Sequence, residues 1–127
     1  MDAKELRIGN WVAIGKNKQP VYVIGIAYDI QKGLLINGVE SEFYVPIELS
    51  VEIIKKCGFE IQSSSHESAN YKHYCSIGFI DVKFTDTKYV VYNCVAGVKV
   101  IMDNIKFLHQ IQNLHYAFTG KDLQVEL

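Results

Sequence analysis

Apolar and polar positions along this chain come mostly in short strand-like bursts, and a helical period takes over only twice. From Arg7 to Gly15, the residues Ile8, Trp11, Val12 and Ile14 are available for burial, which predicts a first strand. Gly15-Lys16-Asn17-Lys18-Gln19-Pro20 is a turn by composition. Val21 to Tyr28 is a β-branched run and a second strand, and Asp29 to Gly33 is the next turn. Leu34-Leu35-Ile36, Asn37-Gly38 and Val39 to Val45 read as a hairpin, because Asn-Gly supplies the positive φ angles of a type I′ turn. Strands this short and closely spaced predict a small, curled, barrel-like antiparallel sheet over residues 1–45.

Pro46 closes that region, and a short helix is expected within 46–58. Ser50 can cap its free N–H groups, with Glu52 at the positive end and Lys55 and Lys56 at the negative end. Gly58 is the left-handed stop, and Leu49 can staple onto Ile54. Residues 59–102 then read as a β-meander. Its strands are Phe59 to Gln62, Tyr71 to Ile77, Gly78 to Phe84, Lys88 to Val95 and Val98 to Met102. The loop Ser63 to Asn70, the Thr85-Asp86-Thr87 triplet and Ala96-Gly97 punctuate them. Residues 103–127 predict a helix capped by Asp103, running from Asn104 to Phe118 and ended by Thr119-Gly120. Leu123 and Val125 would form a tail strand. At 100° per residue, Phe107, Leu108, Ile111, Leu114 and Phe118 share one stripe, which should pack on the meander. Lys106, His109, Gln112, Asn113 and Tyr116 lie on the opposite face, free for other use. The expectation is a single α+β domain over 1–127.

Size and charge narrow the function classes. At 127 residues with 49% apolar and 21% charged residues, the chain can bury one real core and is not a disordered binder. No apolar run approaches the ~20 residues of a membrane span, and the first residues lack a signal-peptide pattern; a cytoplasmic protein is expected. The net charge of −1 shows neither the basic excess of a phosphate binder nor the acidic excess of a nucleic-acid mimic. Arg7 is the only arginine, which disfavours broad nucleic-acid recognition.

The chemistry-bearing residues are scattered. Cys57, Cys75 and Cys94 have no CxxC spacing and read as reduced, mostly buried side chains. His73 and Cys75 sit two apart on one strand with Cys94 nearby, but a structural zinc site needs four ligands. Ser63-Ser64-Ser65-His66-Glu67 holds the letters of a nucleophilic triad in adjacent positions, where convergence is rare. No phosphate-cradling glycine loop and no carboxylate pair stands out. No enzyme activity, metal or cofactor is expected.

Recognition chemistry is better represented. Eight tyrosines are many for this length, and several adjoin lysine. Tyr71, Lys72, Tyr74, Lys88 and Tyr89 are the candidate strand-borne contacts, suited to stacking on unpaired bases or anchoring a protein interface. The plainer reading is cross-strand packing on a half-buried sheet. On the last helix His109, Asn113 and Tyr116 are candidates for a polar recognition face. Their plainer reading is that they tie the helix to neighbouring loops. Trp11 is most simply a core residue.

Three segments carry a family resemblance. Leu6-Arg7-Ile8-Gly9-Asn10-Trp11-Val12 is similar to an LRIGNWV opening. Pro46-Ile47-Glu48-Leu49-Ser50, followed by Gly58-Phe59-Glu60, resembles a Pro-Leu-Thr helix start and its Gly-Phe exit. Leu108-His109-Gln110-Ile111-Gln112-Asn113-Leu114-His115-Tyr116-Ala117-Phe118-Thr119-Gly120 resembles a VHQLQNLYFALTG ending, with His115 where an aromatic is commoner. Together they resemble a family of short phage and prophage proteins of Bacteroidetes-type bacteria; residues 61 to 100 match only in general character. The resemblance implies a setting in which small accessory proteins counter host defences. On that basis the leading expectation is an inhibitor of a host defence nuclease, of the anti-CRISPR kind, with a CRISPR effector or its guide RNA complex as partner. The alternatives are a single-strand nucleic-acid binder serving phage replication or packaging, and a structural accessory protein.

Overall fold

The computed structural model of the chain describes residues 3–63, 73–84 and 89–127, the side chains at 3, 61–63, 73–75 and 95 excepted. The fold is α+β and divides into two compact units, Met1–Glu48 with Phe107–Asp122, and Leu49–Lys106 with Leu123–Leu127.

In the first unit, β1 (Trp11–Ile14) lies between β2 (Gln19–Tyr22) and β6 (Tyr44–Val45), and β4 (Gly33–Ile36) lies between β3 (Ile26–Asp29) and β5 (Val39–Glu40). These are two separate three-stranded antiparallel sheets, and they do not close into a barrel. The expected strand over 21–28 is divided because its middle bends from one sheet to the other. Asn37 holds the bend: its Oδ1 accepts the N–H groups of Ile24 at 2.8 Å and Gly25 at 3.1 Å, and its Nδ2 donates to the Tyr22 carbonyl at 2.9 Å. The same residue opens the type I′ turn, with φ of 52° followed by 81° at Gly38. The core of this unit gathers Leu6, Val12, Val23, Ile36 and Tyr44, with Ile14, Val21 and Ile26 against them. Tyr44 Oη donates to the Ile36 carbonyl at 2.7 Å, which gives the buried phenol its partner.

The first strand starts later than its apolar residues suggest. Asn10 N–H donates back to the Arg7 carbonyl at 3.0 Å, and Gly9 has φ of 98°. That turn needs a residue tolerant of positive φ, and it leaves Ile8 on the surface at 56% exposure. Trp11 is only half-buried, edge-on to Tyr22 with ring centroids 5.4 Å apart.

The second unit holds α1 (Val51–Lys56) and a five-stranded meander. Ser50 Oγ accepts the Ile53 N–H at 3.2 Å, and Gly58 follows the helix at φ 79°, so cap and stop fall where the residue types put them. The strands β7 (Glu60–Ser63), β8 (His73–Ile77), β9 (Ile80–Phe84), β10 (Tyr89–Val95) and β11 (Val98–Ile101) pair consecutively and antiparallel. Ile80, Val82, Phe84 and Val91 supply the buried face. Residues 64–72 and 85–88, including the Ser-His-Glu loop and the Thr85-Asp86-Thr87 turn, lie outside the described residues.

The final helix, α2 (Leu108–Thr119), departs from expectation in three ways. It begins after Phe107, because Leu108 N–H donates to the Ile47 carbonyl at 2.8 Å and Phe107 bridges to Glu48, keeping the preceding backbone extended. Asp103 therefore does not cap it; Gln110 Oε1 does, accepting the Phe107 N–H at 3.0 Å. It belongs to the first unit, with β1 as its neighbour, which corrects the reading that joins it to the meander. Its polar face is also not free: His109 is 0% and Gln112 2% exposed, while Phe118 of the apolar stripe is 41% exposed. The tail after Gly120 forms no strand, although Leu123 is buried and Glu126 N–H donates to the Lys56 carbonyl. Among the described residues, no helix is long and apolar enough to cross a membrane.

Candidate functional site

Among the described residues, a dense polar constellation is built from the turn at residues 5–11 and the inner face of α2. Gln112 Oε1 accepts the Trp11 N–H at 2.8 Å, and its Nε2 donates to the Gly9 carbonyl at 2.9 Å. Asn113 Nδ2 donates to the Glu5 carbonyl at 2.8 Å; its Oδ1 accepts from Asn10 Nδ2 at 2.9 Å and Arg7 Nε at 3.3 Å. Asn10, wholly buried, also accepts the Arg7 N–H on its Oδ1 at 2.7 Å. A turn of non-repetitive backbone leaves N–H and C=O groups without ladder partners, and these must be paired when buried. The two side-chain amides of α2 supply those partners. Each offers donors and an acceptor on one short arm, which suits a turn that presents both kinds of group.

Charge reinforces the same join. The Arg7 guanidinium donates to Asp122 Oδ1 at 2.8 Å and lies 4.2 Å from the Tyr116 ring centroid. The ion pair is partly exposed on both sides, so it adds little beyond orientation; the stacked ring adds on the order of 0.5–1 kcal/mol. His109 Nε2–H donates to Glu5 Oε2 at 3.2 Å, and its ring stacks on Phe107 at 5.9 Å. Burial lowers the His109 pKa, and the Glu5 hydrogen bond only partly opposes this, so the ring is held neutral. His115 Nδ1 lies 3.0 Å from the Lys121 carbonyl, tying down the chain just past the helix.

The sequence-predicted contacts therefore fall into three groups. His109, Asn113 and Tyr116 come together, but His109 has no surface, Asn113 is half-buried in the join, and Tyr116 alone is exposed, at 43%. Tyr89 lies elsewhere, in the second unit. There it lines a groove of about 370 Å³ with Val90, Val91, Ile101, Met102, Asp103, Ile105 and Lys106, and its Oη donates to the Lys106 carbonyl at 2.8 Å. Tyr74 stands opposite Lys83 on β9, whereas Tyr89 stands opposite Phe84, a register position of opposite parity. Tyr71, Lys72 and Lys88 lie outside the described residues.

No protein-family model matches this chain, and neither a curated protein nor a solved structure does.

Sequence reasoning missed part of the surface. On β11, the outer strand of the meander, Val98, Val100 and Ile101 are exposed by 61, 52 and 56%, and Phe79, in the turn between β8 and β9, by 47%. On the sheet, Lys83 Nζ lies 5.5 Å from the Tyr92 ring centroid. The missed signal was the length of the last strand: a four-residue apolar strand at the edge of a sheet has too little neighbouring chain to cover it. Beside it, Cys94 Sγ–H donates to Asp81 Oδ2 at 3.1 Å, with Lys99 Nζ 3.9 Å from the same carboxylate oxygen. Burial first, and the Asp81 carboxylate second, raise the Cys94 pKa, so the thiol stays protonated. Cys57 is pushed up to about 12 by burial. Neither thiol is poised as a thiolate nucleophile or metal ligand. The side chains of His73 and Cys75 lie outside the described ones.

Proposed function

We propose that this chain is a non-enzymatic phage or prophage protein that binds and inhibits a host defence nuclease complex in the bacterial cytoplasm. It acts as an anti-CRISPR does, by occupying a surface that guide or target nucleic acid needs. The observation that carries this reading is the apolar strand surface of the meander unit. Val98, Val100 and Ile101 are exposed along β11, Ile101 lining the groove with Tyr89, and Phe79 is exposed in the turn between β8 and β9. Large apolar and aromatic groups held on strands are the anchor chemistry of protein interfaces. The net charge of −1 supports docking by shape over imitation of nucleic-acid charge. The resemblance of the opening, central and closing segments to phage and prophage proteins supports the setting. In this reading Tyr71, Lys72, Tyr74, Lys88 and Tyr89 contact the partner, together with Val100 and Ile101. His109 and Asn113 contribute by holding the fold of their own unit.

The test is co-purification with CRISPR effector complexes of the native host, paired with phage plaquing in cells expressing the chain. Expected is a stable complex and restored plaquing, both lost in Ile101→Asp. Absence of binding to any host defence nuclease contradicts the proposal.

One observation favours a second reading, direct binding of single-stranded nucleic acid. Lys83 beside the Tyr92 ring pairs a cation with a strand-borne aromatic, the combination that holds backbone and base. That reading requires oligonucleotide affinity that falls steeply with salt in a gel-shift series.

A further inference from the structure

The outermost strand of the second small sheet in the first unit has an undefended edge. Among the described residues β3 pairs only with β4, and its register sets Ile26 against Ile36, Ala27 against Leu35 and Tyr28 against Leu34. Asn37 N–H donates to the Gly25 carbonyl at 2.9 Å, which fixes the phase of the ladder. Residues of an antiparallel strand point their backbone groups alternately to either side. Gly25, Ala27 and Asp29 therefore face β4, and Ile26 and Tyr28 turn their N–H and C=O groups outward.

Proteins usually blunt such an edge with proline, lysine, a bulge or extreme shortness. β2 carries Pro20, β11 carries Lys99, and β5 and β6 are two residues long. β3 has none of these. Its one charge, Asp29, is engaged in its own turn, where Oδ1 accepts the N–H groups of Gln31 at 2.8 Å and Lys32 at 2.9 Å. The strand carries the exposed Tyr28 at 74% and is flanked by Ile24 at 71% and Ile30 at 92%.

We infer that β3 pairs with β3 of a second copy of this chain, antiparallel about a twofold axis normal to the sheet. This goes beyond the functional reading above and does not depend on it. The twofold axis requires hydrogen-bonded partners of equal parity, and Ile26 with Tyr28 of the second copy, taken both ways, meets that requirement with all four outward groups of each strand engaged. Ala27 then faces Ala27 of the second copy at the axis, where the non-hydrogen-bonded pair brings Cα atoms to about 4.5 Å and a small side chain fits. Tyr28 lies beside Ile26 of the second copy, an aromatic–β-branched pair that sheets favour. Charge agrees as well: Asp29 falls opposite Gly25 of the second copy, so no like charges meet, and a net charge of −1 gives little repulsion between copies. The exposed side chains offer on the order of 400 Å² per copy, short of the roughly 800 Å² per partner in a standard interface. The dimer is accordingly weak and depends on concentration.

Sedimentation of the full chain from micromolar to millimolar concentration, with residue-resolved hydrogen exchange, tests this. Expected is a shift from monomer to dimer, with the Ile26 and Tyr28 amides gaining protection as it proceeds. Tyr28→Lys, at an exposed position, should leave the circular dichroism spectrum unchanged and weaken dimerisation about tenfold or more. A monomer throughout the range overturns the proposal. So does a dimer that Tyr28→Lys leaves intact, or edge protection that arises only when another protein's strand is added.

Discussion

The inner face of α2 and the outer strands of the meander use their residues in opposite ways. On the helix and in the turn it meets, polar side chains of the kind usually assigned to recognition are buried: Asn10 of the turn and His109 and Gln112 of the helix are 0, 0 and 2% exposed. On the meander, apolar side chains usually assigned to the core are open: Val98, Val100 and Ile101 all exceed half exposure. The comparison teaches that residue type names the chemistry a side chain can do, while backbone context decides where that chemistry is used. An irregular turn at residues 5–11 needs hydrogen-bond partners, and a short edge strand lacks cover.

The largest effect should come from the helix side. Gln112→Ala would strand the part-buried Trp11 N–H and the buried Gly9 carbonyl, at a cost of roughly 2–4 kcal/mol in urea denaturation. A loss below about 0.5 kcal/mol, the range of ordinary surface changes, would break the comparison.

Acidification should act more mildly through His109. Its folded pKa lies below the ordinary 6.5, so the unfolded chain takes up the proton first as pH falls. The contribution of neutral His109 is thus complete above about pH 6.5 and is lost as pH drops below it towards the lowered folded value. Urea midpoints at about pH 7.5 and about pH 5 should separate in the native chain, and His109→Gln should narrow that separation. An unchanged separation would place the titration elsewhere.

The smallest effect on stability belongs to the meander surface. Ile101→Asp and Val100→Lys should each leave stability within about 0.5 kcal/mol. If the surface is the docking face, the same changes weaken partner binding by about 2 kcal/mol or more. A large stability loss with binding kept would reverse their assignment.

Much of the fold was legible because its signals are local. Ser50 and Gly58 mark α1, Asn37-Gly38 and Ala96-Gly97 mark tight turns, and consecutive strands with short connections mark a meander. The period of α2 was legible too, but the occupants of its polar side were not. The partners of Gln112 lie 101 and 103 residues away, and nothing in a local pattern distinguishes an amide facing water from one facing a distant turn. The split of the second strand was hidden for a similar reason: the β-branched run continues through the bend, and the restraint comes from Asn37 across the hairpin. Of the candidate site, Tyr89 was legible as an aromatic beside lysine. The exposure of Val100 and Ile101 depends on strand order, which residue type does not encode.

The central claim is that the turn and the helix amides form one coupled network. A double-mutant cycle on Asn10 and Asn113, read by urea denaturation, tests it most directly. The two side chains meet at 2.9 Å, so Asn10→Ala and Asn113→Ala should be non-additive, with a coupling of about 0.5–3 kcal/mol. Additivity to within roughly 0.3 kcal/mol would contradict the account.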